Sequence, residues 1–366
     1  MRPGADRTDI EYGSPRLLRP PAEIAIVYLD LNQWIGLTKA AVGHPDGERY
    51  ETALTALRAA GDRVVVPLAA PHYMEMAGIR DPRQRFDIAA VMEELSGFRC
   101  LMTGPDVTAL EIEEALERLA GTRQRFQAMP LIGDGALQAF GKRGGLRVRS
   151  PDGDVTEKAR LQWPGGPDEF DAWRRNAEFE FNRAVLRGPT DAEAPSLRAA
   201  GWDPTVAKRT ACDRAQQQRE HARVLDDNPR WRRGRLRDVV AARYLSLEIR
   251  ETLNRALLAR HLELSSVFSS PEEIRRFTDS MPSADTWITL QTAAHRNPAT
   301  RWTPNDIFDI DALSFAVPYC DIVATERHAR HVLRAAKLPE RLATTVVATP
   351  QELVSALRLH LESAAA

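Results

Sequence analysis

The sequence contains no run approaching the ~18 uninterrupted apolar residues that a bilayer-spanning helix requires, which argues against a membrane protein. Cysteine is scarce. Cys100, Cys212 and Cys320 stand far apart without a CxxC pair, so neither a zinc site nor a disulfide framework is expected. Buried, reduced thiols in a reducing cytoplasmic compartment are the expectation. There is no GxxxxGK[ST] loop and no GxGxxG, so nothing points to ATP or a dinucleotide. The opening stretch, MRPGADRTDIEYGSPRLLRPP, is polar and proline-rich and lacks the apolar core of a signal peptide. A flexible tail is expected over residues 1–22. The histidines are scattered without metal-ligand spacing and read as structural or surface residues. Neither an internal repeat nor a long low-complexity tract is present.

What is there is a globular composition: 366 residues, 43% apolar and 28% charged, long enough for two compact units or one unit carrying a large insertion. The net charge of −1 hides an asymmetry. Residues 121–260 carry a local +8 and the remainder −9. Acidic ends around a basic middle suit a metal site next to a polyanion-binding surface; a solvated arginine-rich helical insertion gives the same numbers.

Ile24–Leu29 (IAIVYL) reads as a buried strand that ends at Asp30. A helix from Asn32, another over Glu48–Ala60 and a strand at Arg63–Pro67 follow. Helices at Ala69–Ala77, Pro82–Leu95 and Asp106–Ala120 complete this half. The alternation resumes with a helix at Asn305–Pro318 and a strand at Asp321–Thr325. A helix at Glu326–Ala336, a strand at Thr344–Ala348 and a helix at Pro350–Glu362 close the chain. Such alternation predicts an α/β fold, a parallel sheet with helices on both faces. Between the halves, Gly141–Pro167 reads as a loop, and Asp168–Leu186, Val206–Leu225 and Trp231–Leu264 as helices. The expected organisation is one α/β domain built from residues 23–120 and 283–366, with a helical, basic insertion at 121–282.

Carboxylates recur where a parallel sheet would focus them, beyond the carboxyl ends of its strands. Asp30 ends the first strand (YLDLNQW). Glu75 lies on the helix after the second strand (VPLAAPHYMEMA). Asp306 and Asp309 share a face of the helix in NDIFDIDALSFA, whereas Asp311 lies about 200° around from Asp309. Glu326 follows the strand in DIVATER. Asp321 begins that strand, roughly 13 Å from its end, and so falls at the opposite edge of the sheet. Acids gathered this way repel one another unless a cation neutralises them. An all-oxygen set selects Mg²⁺ or Mn²⁺, and such a site supports attack of activated water on a phosphate. A phosphatase-type start is disfavoured, because Asn32 stands where a second Asp would be.

The stretches IVYLDLNQW, VVVPLAAPHYMEMA and WTPNDIFDIDALSFAVPYCDIVATER resemble the PIN-domain family of nucleases over about half the chain, roughly residues 24–120 and 300–365. The resemblance implies a three-layer PIN-like sandwich with a short parallel sheet. It implies a Mg²⁺- or Mn²⁺-dependent endoribonuclease with Asp30, Glu75, Asp309 and Glu326 as metal ligands. Asp306 is a further candidate metal ligand, and Asn32 and Thr325 support the site by hydrogen bonds. Two features depart from the pattern. The fourth acid is Glu where Asp is usual, and the middle insertion exceeds that of a minimal PIN toxin. Arg327 and His328 follow Glu326 and read either as contacts to the scissile phosphate or as solvated side chains. In DNPRWRRGRLRD, Trp231, Arg232 and Arg233 combine an aromatic with phosphate-binding charge, though an exposed helix face with one tucked tryptophan gives the same pattern. The expected partners are RNA, an inhibitory partner protein and a second copy of the chain, in a toxin or defence setting. A catalytically silent PIN-like module that binds RNA or protein is the alternative.

Overall fold

A computed structural model describes residues 12–13, 15–120 and 128–364. The chain is mixed α/β and mostly helical, built around a short parallel sheet. Ala25–Leu29 (β1) is buried at every position, as a central parallel strand covered on both faces must be. Val64–Val65 (β2) pairs with it on one side and Ile322–Ala324 (β4) on the other, where Val27 faces Ile322 and Leu29 faces Ala324. Thr345–Val347 (β5) pairs with β4. Arg99–Leu101 (β3) joins beyond β2 through a parallel bridge between Leu68 and Cys100, with Leu68 N–H on the Arg99 carbonyl at 2.8 Å. The spatial order is therefore β5-β4-β1-β2-β3. The chain winds outward from β1 to β3 and then returns to β4, so the winding direction reverses between β1 and β4.

Side-chain alternation sends the strands into two separate cores. Ile26, Tyr28, Val323 and Val346 enter one, and Ala25, Val27, Leu29, Ile322, Ala324 and Val347 enter the other. Helices Leu31–Ala41, Glu51–Ala60, Pro82–Ser96 and Pro350–Ser363 fill the second core. Helices Gly104–Ala120, Pro282–Arg296 and Pro304–Tyr319 fill the first. Ala211, Leu225, Leu253 and Leu257 from the expected insertion join that same core, so among the described residues the middle helices pack onto the helices that cover this face of the sheet.

Three local expectations differ from the structure. Where a flexible tail is expected, the described residues between 12 and 22 are docked: Leu17–Leu18 pairs in parallel with Met129–Pro130, and Tyr12 donates to Asp285 at 2.6 Å. Trp231–Leu264 is not one helix but four pieces (Pro229–Gly234, Leu236–Arg243, a π-helical turn at Tyr244–Glu248 and Arg250–Ala259). The Gly141–Pro167 loop holds a two-residue ladder and the helix Thr156–Leu161. Strand β3 was not expected: it is only three residues long, begins with an exposed arginine, and takes its antiparallel partner, Ile132–Asp134, from beyond residue 121. Of the cysteines, Cys100 and Cys320 are buried as expected and Cys212 is exposed.

Candidate functional site

Asp30 leaves the carboxyl end of β1 and caps the next helix, its carboxylate accepting from Gln33 N–H at 3.1 Å. Cap geometry fixes the residue just past the strand, so the acid points out of the sheet at the place where the winding reverses. It is 8% exposed. Burial raises its pKa to about 6, the charge on Glu326 pushes the same way, and hydrogen bonds from Gln33 and Thr325 pull against the rise.

Glu75 is carried by the helix Ala70–Met76, whose start is fastened to β1 by His72. The His72 ring is fully buried and stacks on Tyr28 with centroids 5.1 Å apart. Its Nδ1 accepts from Ala69 N–H at 3.0 Å, which leaves Nε2 carrying the proton and donating to the Leu29 carbonyl at 2.8 Å. Burial lowers its pKa to about 4, so the ring is neutral at pH 7. A lone histidine among apolar residues gave no sequence signal of this role; its one clue is the apolar frame VPLAAPHYMEMA. Glu75 itself is half-buried, and its pKa rises to about 8 through burial first and then repulsion from Asp309 and Asp30.

Asp309 sits on Pro304–Tyr319, whose first turn is closed by a capping box in which Thr303 Oγ1 donates to Asp306 at 2.7 Å. That bond commits Asp306 to the cap. Burial, then the charges on Asp30, Glu326 and Asp306, raise the Asp309 pKa to about 7. Glu326 follows β4, is exposed, and accepts from the Asn32 amide at 2.5 Å. The four acids thus act on one another electrostatically at one edge of the sheet. Tyr28 beneath them feels three of them: Glu75, Asp30 and Asp309.

The two acids set aside by strand direction and helix phase lie elsewhere. Asp321 accepts from Ile26 N–H at 2.7 Å and pairs with Arg19 at 2.8 Å, at the opposite edge of the sheet. Asp311 pairs with Arg214, at 2.8 Å through one nitrogen. Thr325 is buried beside Asp30, while Arg327 and His328 are exposed next to Glu326. The basic run is largely used internally. Trp231 packs against the core, and Arg232 binds the His295 carbonyl and Asp226, the latter at 2.6 Å. Arg233 is exposed.

Among the described residues, no three His, Cys, Asp or Glu side chains are gathered tightly enough to form a preformed cation cage. The donor chemistry nevertheless suits a hard divalent ion, since all four groups are carboxylates and three hold their protons above the ordinary range, through burial first and then repulsion between neighbouring acids. A cation that drew the acids inward would relieve that repulsion. No helix among the described residues is long and apolar enough to cross a membrane. No family model, curated protein or solved structure matches this chain.

Proposed function

We propose that this chain is a metal-dependent endoribonuclease of PIN-like, three-layer architecture. The observation that carries the reading is the convergence of Asp30, Glu75, Asp309 and Glu326 on the reversal point between β1 and β4, with three of the four carrying raised pKa values. A short parallel sheet with acids beyond the carboxyl ends of its strands supports the reading. Mg²⁺ or Mn²⁺, held by these four acids, would let them ionise together and activate water toward a phosphodiester. The chain's own residues do the positioning. The helix cap fixes Asp30, His72 anchors the Glu75 helix to the end of β1, and the Asn32 amide orients Glu326. Exposed Arg327 and His328 flank the acids, where a phosphate oxygen would need a donor. A toxin or defence setting is the biological frame this activity suggests, by analogy alone.

The test is cleavage of a mixed, end-labelled RNA pool by wild type and Asp30→Asn, each with Mn²⁺ and with EDTA. Products from wild type with metal and from no other lane are expected. A folded protein that binds RNA in a salt-sensitive way, with no products in any lane, would instead support the silent binding module.

A further inference from the structure

The two helices that carry Glu75 and Asp309 also wall a cavity of about 410 Å³ on their neighbouring faces. Ala70, Pro71 and Met74 line it from the first helix, and Phe308, Ala312 and Phe315 from the second. Each acid is thus one residue from a lining side chain: Glu75 follows Met74, and Asp309 follows Phe308. The far wall comes from the middle of the chain, through Arg214, Tyr244 and Ile249. The cavity lies within the range of small-molecule sites, roughly 300–1,000 Å³, and shares their character of an apolar body with a few fixed polar groups.

Those polar groups cluster at one end. Thr108, Tyr244 and Ser283 line it with their hydroxyl-bearing side chains. Behind them lies Glu111, 2% exposed, which accepts from Ser283 N–H at 2.9 Å and from the Ser283 and Tyr319 hydroxyls. A buried carboxylate therefore fixes the orientation of the Ser283 hydroxyl. At the rim, Arg214 is shared between Asp311 at 2.8 Å and Glu248 at 3.6 Å, so the rim carries two negative charges against one positive. An anion is disfavoured there and a neutral group with hydrogen-bonding edges is favoured. Three aromatic side chains, Phe308, Phe315 and Trp287, also line it.

Resting on the nuclease reading above, we infer that this cavity takes one unstacked purine base of the RNA whose backbone lies across the acids. A base needs an aromatic face to stack on and fixed partners for its edge, while its phosphates stay outside. The phosphates belong with the acids and the base with the cavity, and the two places share the helices Ala70–Met76 and Pro304–Tyr319, the acids about a quarter-turn around each helix from the lining residues. A purine has the larger face for the three rings. In this arrangement the middle of the chain, which supplies Arg214, Tyr244 and Ile249, selects where the RNA is cut.

The test uses the full-length protein in EDTA and the four free nucleosides, which carry no phosphate and need no metal. Equilibrium binding is measured for wild type, Met74→Trp (filling the cavity from a part-exposed position), Tyr244→Phe and Asp30→Asn. Saturable binding of adenosine or guanosine, weakened roughly ten-fold or more by Met74→Trp and measurably by Tyr244→Phe, is expected. Asp30→Asn should bind them as wild type does. No saturable purine binding by folded wild type, a preference for pyrimidines, or equal binding by both cavity variants would overturn the inference. Purine binding that follows these variants in a protein that cuts no RNA would retain the pocket and sink the nuclease reading, so the two failures are distinguishable.

Discussion

Asp30→Asn is expected to reverse its effect on stability with pH when metal is withheld. The wild-type carboxyl is pushed from 3.8 to about 6 by burial beside other acids. A raised folded-state pKa means that the folded protein holds this proton more tightly than the unfolded chain does. The associated stability is complete below about pH 4 and is lost as pH rises through 6. By pH 8 the loss amounts to about 3 kcal/mol. Asparagine avoids that loss and keeps an oxygen for the Gln33 N–H, so the helix stays capped. It gives up the second carboxylate oxygen, and with it one hydrogen bond worth about 1 kcal/mol. The variant should therefore be about 1 kcal/mol less stable than wild type near pH 4 and about 2 kcal/mol more stable at pH 8. With an unfolding entropy of ~2.1 cal/mol/K per residue, the second figure is a rise of about 3 °C in thermal midpoint. Thermal melts in EDTA at half-unit pH steps provide the assay. A difference that stays constant from pH 4 to 8, or a variant less stable at pH 8, would refute the reasoning.

Three further outcomes follow from the same geometry. His72→Phe leaves the Leu29 carbonyl and Ala69 N–H without their partner and should cost about 2–4 kcal/mol in urea unfolding. Because burial lowers the folded-state pKa of His72 to about 4, wild type loses stability as pH falls from about 6.5 through 4, and this part of the pH dependence should vanish in the variant. Asp321→Ala removes the acceptor of Ile26 N–H and the partner of Arg19, and should cost about 1–2 kcal/mol while leaving any Mn²⁺-induced rise in melting temperature intact. Thr303→Ala opens the cap that holds Asp306 and should lower stability by about 1 kcal/mol, read from the urea midpoint at unchanged slope.

Much of this site is legible in the sequence because two periodicities govern it. Strand direction separates Asp30 from Asp321, and helix phase separates Asp309 from Asp311; the structure places all four accordingly. Elements with strong local patterns were readable, such as the continuously buried β1 and the Pro-started helix Pro350–Ser363. What was illegible depends on distant partners. Glu111 sits in the run EIEEALE, which reads as a solvated helix face, yet it is buried by Ser283 and Tyr319, far along the chain. Strand β3 exists through Leu68 and Ile132–Asp134, not through its own three residues. The breaks within Trp231–Leu264 sit at the exposed Gly234 and at a π-helical turn, neither of which interrupts the apolar period. Arg232 looked like a phosphate ligand because a charge run does not reveal that a carbonyl, here that of His295, waits to receive it.

The most direct test of the central claim, that these acids jointly hold a divalent cation, is a Mn²⁺ titration at pH 8. It would be followed by calorimetry on wild type, Glu75→Gln, Asp309→Asn and Asp321→Ala. Saturable binding in wild type and Asp321→Ala, weakened at least ~10-fold in Glu75→Gln and Asp309→Asn and accompanied by proton release, is predicted. Equal Mn²⁺ affinity in all four proteins, or none in wild type, would contradict the account.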